Sequence, residues 1–294
     1  MVDIKEIKSL KLTPFTKMSA SICGILGLIA AIIMLFIIII VEVTGIVPHL
    51  GQFNIITGFG VPIIVLFPIG AFFITIATSF FSAILYNLLA PKVGGVKLEL
   101  ENNEVVKIPV ISFALILSAI ESIWAFIIGL VLAALISPLF SLINSIPLSS
   151  NITSSFTNVT GATMPTGAEI GVAGLILSVV LIIGLPILAF VAGFIRNALF
   201  AIFYNYIATR VSKIKLEFNQ ITGNLQEIKH IPVLPTALAV AIVYALLGII
   251  SGIMSKDYTN FISNFVSYFI EIALAAILYN YLAPKIGSIK LNLE

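Results

Sequence analysis

Long apolar runs separated by short charged joints dominate the chain. Uncharged stretches lie between Lys17 and Glu42, Glu42 and Lys92, Glu121 and Glu169, Glu169 and Arg196, and Lys229 and Lys256. A helix needs about 20 mostly apolar residues to cross a hydrocarbon core of about 30 Å, and each run holds one or two such lengths. The ten-residue alternating segments of a transmembrane barrel are missing, so helices must satisfy the backbone in lipid. The pattern predicts spans at 14–42, 57–90, 110–143, 168–209, 233–254 and 260–283. The joints have a different period. Val96–Glu101, Ile214–Phe218 and Ile289–Glu294 alternate apolar and polar residues, as half-buried strands do. Turn-like segments at Glu101–Glu104 and 219–224 follow the first two, which predicts hairpins. The third has no return segment, and Ile4–Lys8 is expected to pair with it, giving a small β cap.

Composition agrees with the pattern. The chain is 60% hydrophobic and 10% charged, with a net charge of +2 and a mean hydropathy of +1.19. A soluble surface needs roughly 25–35% charged residues, and a disordered chain would be far more polar. The fold class expected is an all-α polytopic membrane protein with a β-hairpin cap. All but Lys256 and Arg196 of the 15 Lys and Arg residues lie in the N-terminal segment, the 91–109 and 210–232 joints and the C-terminal tail. The positive-inside rule then places both termini in the cytoplasm of a cell-membrane protein. Loops 43–56, 144–167 and 255–259 face outward, and 144–167 carries sequons at Asn151 and Asn158. The first apolar run is too long for the core of a cleaved signal peptide.

Internal similarity organises the rest. Ala83–Leu100 recurs as Ala276–Leu293, and a more divergent copy covers Ala201–Glu217. Three tandem units follow: 1–105, 106–224 and 225–294, each with two spans and an exit bearing Tyr-Asn. These pairs are Tyr86-Asn87, Tyr204-Asn205 and Tyr279-Asn280. Tyrosine suits the membrane interface and asparagine can bond across helices, so the pairs are read as a repeated helix-end latch. Pro68 and Pro186 stand at the same offset before Tyr86 and Tyr204 and predict kinks. Pro91 and Pro284 are expected to end their helices.

Ionisable groups deep in spans are candidate working residues, because lipid exposure is costly. Glu121, Arg196 and Glu271 qualify. Arg196, Glu271 and Thr78 hold equivalent places before their repeat tyrosines, so an Arg196–Glu271 ion pair is expected, with Glu121 lacking an obvious partner. Cys23 is alone, inside a span, and reads as an inert thiol. His49 and His230 have no metal-ligand spacing. No cofactor loop, nucleophile elbow or metal box is present, and basic residues are mixed with acidic ones, unlike a nucleic-acid face.

At Tyr86–Val96, and again around Tyr279–Leu293, the chain resembles a family of small prokaryotic transmembrane proteins of no established biochemistry. Members look like a single unit: basic lead-in, two spans, and a Tyr-Asn exit followed by a glycine-valine strand. The resemblance covers all three units, and the middle one departs from it at Thr209 and Ser212. The function expected is a membrane structural or assembly scaffold whose partners are the bilayer and, through the cap, another protein or a second copy. The alternative is a small-solute, ion or proton transporter using the intramembrane charges. An enzyme ranks last, since no nucleophile or metal set converges.

Overall fold

The computed structural model describes residues 2–44, 60–145 and 174–294. The loops expected at 43–56 and 144–167, with His49 and both sequons, lie wholly or largely outside the described residues. Among the described residues, six helices are long and apolar enough to cross a membrane, so this is a multi-pass membrane protein. In chain order the elements are β1 (Asp3–Leu10), α1 (Leu12–Thr44), α2 (Val61–Val93), β2 (Lys97–Glu101), β3 (Glu104–Lys107), α3 (Val110–Ser145) and α4 (Gly174–Val211). They continue with β4 (Glu217–Thr222), β5 (Leu225–His230), α5 (Val233–Ser255), α6 (Asn260–Ile286) and β6 (Lys290–Leu293). The chain forms two compact units, one of residues 1–116 with 198–294 and one of 117–197.

Small residues let the helices of the larger unit approach. A Cβ on Gly27 of α1 would come within 2.9 Å of Ala71 Cβ and 3.2 Å of Pro68 Cα on α2. One on Gly248 of α5 would come within 2.6 Å of the Asn260 carbonyl oxygen on α6. Between α1 and α6, Met18, Tyr279, Leu282 and Ala283 form a buried apolar cluster. A ring ladder links α3 to α6, with Phe113 stacked on Phe200, Phe200 edge-on to Tyr244, and Tyr244 stacked on Tyr268 at 3.6 Å between centroids.

In the smaller unit, α3 and α4 touch backbone to backbone where Gly129 faces the Leu181 carbonyl. Ser122 Oγ donates to the Pro186 carbonyl at 3.0 Å.

The prolines behave differently from one another. Pro186 lies two residues past a π-helical turn, Val180–Gly184, the kind of irregularity a missing backbone donor invites. Pro68 sits inside an unbroken α2, at the place where α1 presents Gly27. Pro91 and Pro284 do not end their helices. Both lie in the last turn, and α2 and α6 run on to Val93 and Ile286. Gly94 and Gly287 stop them instead, with φ of 94° and 96°, a region L-residues rarely adopt.

Six strands make one antiparallel sheet in the order β3-β2-β1-β6-β5-β4. β1 pairs with β2 through Glu6–Lys97 and with β6 through Ile7–Leu293. Asn102 and Asn103 take the positive φ, 51° and 64°, that a tight two-residue hairpin demands. β3 also meets the segment that leads into β4. The Val105 N–H donates to the Ile214 carbonyl at 2.8 Å, and the Leu216 N–H donates to the Asn103 carbonyl at 2.9 Å. Glu104 and Lys215 form the bridge between them, just before β4 begins. β3 therefore gains a second neighbour in residues 214–216 and the sheet curls into a ring joined by this one bridge, while β4 itself pairs only with β5. Leu98, Leu100, Val105, Leu291 and Leu293 are buried on one face of it.

Candidate functional site

The same hydrogen-bonded junction occurs where each of α2, α4 and α6 reaches the ring. Tyr86 Oη donates to the Ile7 carbonyl at 2.6 Å and accepts from the Val96 N–H at 2.9 Å. Tyr204 Oη donates to the Val105 carbonyl at 2.6 Å and accepts from the Ile214 N–H at 2.9 Å. Tyr279 Oη donates to the Ile228 carbonyl at 2.5 Å and accepts from the Ile289 N–H at 3.2 Å. One phenol thus ties an incoming strand to the outgoing strand of the same helix pair. The neighbouring asparagine grips the incoming chain three residues further on. Asn87 bonds both the N–H and the carbonyl of Leu10, at 2.7 and 2.9 Å. Asn205 does so with Ile108, both at 2.8 Å, and Asn280 with Ile231 at 2.9 and 2.8 Å. All three tyrosines are buried, where an unpaired backbone group is costly.

The middle junction reaches this geometry by another route. Ser212 stands where Gly94 and Gly287 stand elsewhere, and it is extended, with φ −154°. The helix before it widens into a π turn over Tyr204–Ala208, while the spacing from Tyr204 to Ile214 stays that of Tyr86 to Val96. The absent glycine and the π turn therefore belong together: a serine cannot cheaply take φ near +95°, so the helix end takes up the difference.

Ion pairs decorate the ring. Glu104 holds Lys215 at 2.6 Å and Lys213 at 3.1 Å, and these bonds keep its carboxyl below the usual carboxylate value. Burial pushes the Glu6 carboxyl up, but the Gly95 N–H at 2.9 Å, Lys8 and Lys97 outweigh it and the net shift is downward. Lys107 pairs with Glu99 at 3.0 Å. Sequence reasoning passed over Glu6 and Glu104; their signal was the cross-strand pairing of each with a lysine, Lys97 and Lys215.

The deep charges resolve in an unforeseen way. Arg196 donates to Glu121, not to Glu271, and Asn197 Nδ2 adds a bond to the same Glu121 oxygen at 3.3 Å. Glu121 is partly covered and Arg196 more open, with side-chain exposures of 33% and 60%. Gly193 makes room for the carboxylate, since a Cβ there would collide with Glu121 Oε2. Glu271 is exposed on α6, and among the described residues it forms no ion pair. Thr78 turns back on its own helix, donating to the Ile74 carbonyl at 2.9 Å. The pair expected from equal offsets before Tyr204 and Tyr279 is therefore not the one Arg196 forms. Arg196 is answered by α3, its own hairpin partner.

Among the described residues no group of three or more His, Cys, Asp and Glu side chains could hold a metal ion. His230 lies 3.7 Å from Glu217 at the base of β5. Compared with known proteins, the chain matches no family model, no curated protein and no solved structure.

Proposed function

We propose that the protein is a non-enzymatic membrane scaffold: three tandem two-helix repeats carrying a cytoplasmic β cap that docks a partner protein or a second copy. One observation carries the reading. The sheet is bridged between β3 and residues 214–216 and clamped to α2, α4 and α6 by three Tyr-Asn junctions, with bond lengths between 2.5 and 3.2 Å. A platform fixed at three points is pre-organised, and pre-organisation lowers the entropic cost of docking. Its outer surface is charged and mixed in sign, which suits selective contact more than self-aggregation. Both termini and the joints face the cytosol in this reading, supported by the distribution of Lys and Arg.

The test is affinity purification of the full chain from native membranes under mild detergent. A stoichiometric partner should co-purify, and Lys107→Glu with Glu101→Lys, which alter the ring surface and leave the junctions intact, should release it. A monodisperse monomer with no partner in either case would remove the reading.

A second reading rests on the Glu121–Arg196 pair, partly open within the spans. Paired charges at that depth suit an ion or proton path. Proteoliposome flux that is present in the native chain and lost in Glu121→Gln would favour transport; no flux across a broad ion panel would dismiss it.

A further inference from the structure

Most lysines of the ring are neutralised by a carboxylate. Lys5, Lys8, Lys97, Lys107, Lys213 and Lys215 each have an acidic partner within 4.0 Å. Lys11, Lys229 and Lys290 do not, among the described residues. Lys11 and Lys290 are nonetheless immediate neighbours, because the Lys11 N–H donates to the Lys290 carbonyl at 3.0 Å. Glu227, the register partner of Lys290, instead accepts from Asn219 Nδ2 at 3.1 Å. Two like charges side by side across strands are unfavourable unless an anion sits near them. A cleft of about 500 Å³ opens between them, lined also by Ser9, Thr13, Asn87 and Leu225. The Asn87 amide is occupied by Leu10, so the lysines supply the charge recognition.

The helix that begins just after Lys11, α1, carries a second, apolar feature. Further along α1, about 15–20 Å from Lys11 at 1.5 Å per residue, a groove of about 500 Å³ is lined by Gly24, Ile25, Pro68, Phe72 and Leu282. A free phosphate has no use for such a groove. An amphiphile with an anionic head and a hydrocarbon tail matches both features at once. We propose that this face of α1 binds an anionic glycerophospholipid, with its phosphate between Lys11 and Lys290 and an acyl chain in the groove beside Phe72. The assignment rests on the bilayer placement given above and not on the docking role of the cap, so either can fail alone.

Native mass spectrometry of the full chain, titrated with phosphatidylglycerol or phosphatidylcholine of equal chain length, tests it. Phosphatidylglycerol adducts should persist at lower lipid concentration than phosphatidylcholine adducts. Lys11→Gln/Lys290→Gln should weaken phosphatidylglycerol retention roughly 30-fold, from two lysines acting near a membrane surface. Lys107→Gln, whose lysine is already paired with Glu99, should leave retention unchanged. Lys11 is exposed, so Lys11→Gln alone provides a folded variant with a smaller loss in the same direction. Equal retention of the two lipids, a double variant that binds as the native chain does, or displacement of lipid by millimolar inorganic phosphate would each overturn the proposal.

Discussion

Replacing Tyr204 with phenylalanine removes one oxygen atom and leaves the ring volume unchanged. That oxygen joins the Val105 carbonyl, 2.6 Å away, to the Ile214 N–H, 2.9 Å away, and Tyr204 is 0% exposed. Water cannot easily replace it there. Leaving a buried backbone group unpaired costs about 1–3 kcal/mol. Two such groups, less the relief from no longer burying a hydroxyl, give an expected loss of about 3 kcal/mol. The same phenol holds β3 against residues 214–216, so the loss should appear first as opening of the ring. The assay is reversible unfolding in mixed micelles, combined with hydrogen exchange at the Ile214 and Val105 amides. Tyr204→Phe should lower the unfolding free energy by that amount and speed exchange at Ile214. Asn205→Ala should couple to it, since the two side chains hold one incoming segment, at Val105 and Ile108. Stability within about 0.5 kcal/mol of native, with unchanged exchange at Ile214, would refute the argument that these hydroxyls clamp the ring.

Gly94→Ser and Gly287→Ser should each cost about 1–2 kcal/mol in the same unfolding assay, because φ near 95° strains any L-residue. Ser212→Gly should change stability by less than about 1 kcal/mol, since its backbone is extended. Acid should loosen the ring through Glu104: its carboxyl is held low by Lys215 and Lys213, so the stability it contributes is present above its unfolded value near 4.5 and is lost as pH falls through the lower folded value. A pH series of unfolding midpoints should show this decline below about pH 4.5, and Glu104→Gln should flatten it. In the smaller unit, Glu121→Ala should destabilise by up to about 3 kcal/mol by leaving a guanidinium unanswered in the bilayer; adding Arg196→Ala should restore part of that loss, as read by thermal unfolding.

Much of this architecture is written in the periodicity. Among the described residues, uncharged runs place the helix ends to within a few residues, and two-residue alternation marks the strands; β1 does lie beside the last strand, but through Ile7–Leu10, while Ile4 and Lys5 pair with β2. Closure of the ring was harder to read. The middle exit lacks the proline and glycine of its counterparts, and its strand-like segment joins β3 through only a few bonds around Glu104 and Lys215. Sequence could mark Tyr-Asn as repeated, but not that the phenol would bridge two backbone strands, because both partners are main-chain groups common to every residue. Partner choice for Arg196 failed for a geometrical reason. Depth can be counted along a helix, whereas azimuth depends on packing, and the hairpin partner α3 presents Glu121 on the side that Arg196 faces.

Lipid as solvent for the helices and a cap kept in the cytosol together form the central claim. With Cys23→Ser as background, single cysteines at Asn103, Gly223 and Asp257 can be exposed in intact cells to a membrane-impermeant maleimide. The account predicts labelling of Asp257→Cys from outside, and of Asn103→Cys and Gly223→Cys only after the membrane is opened. Labelling of the two hairpin positions from outside, with Asp257→Cys protected until lysis, would contradict it.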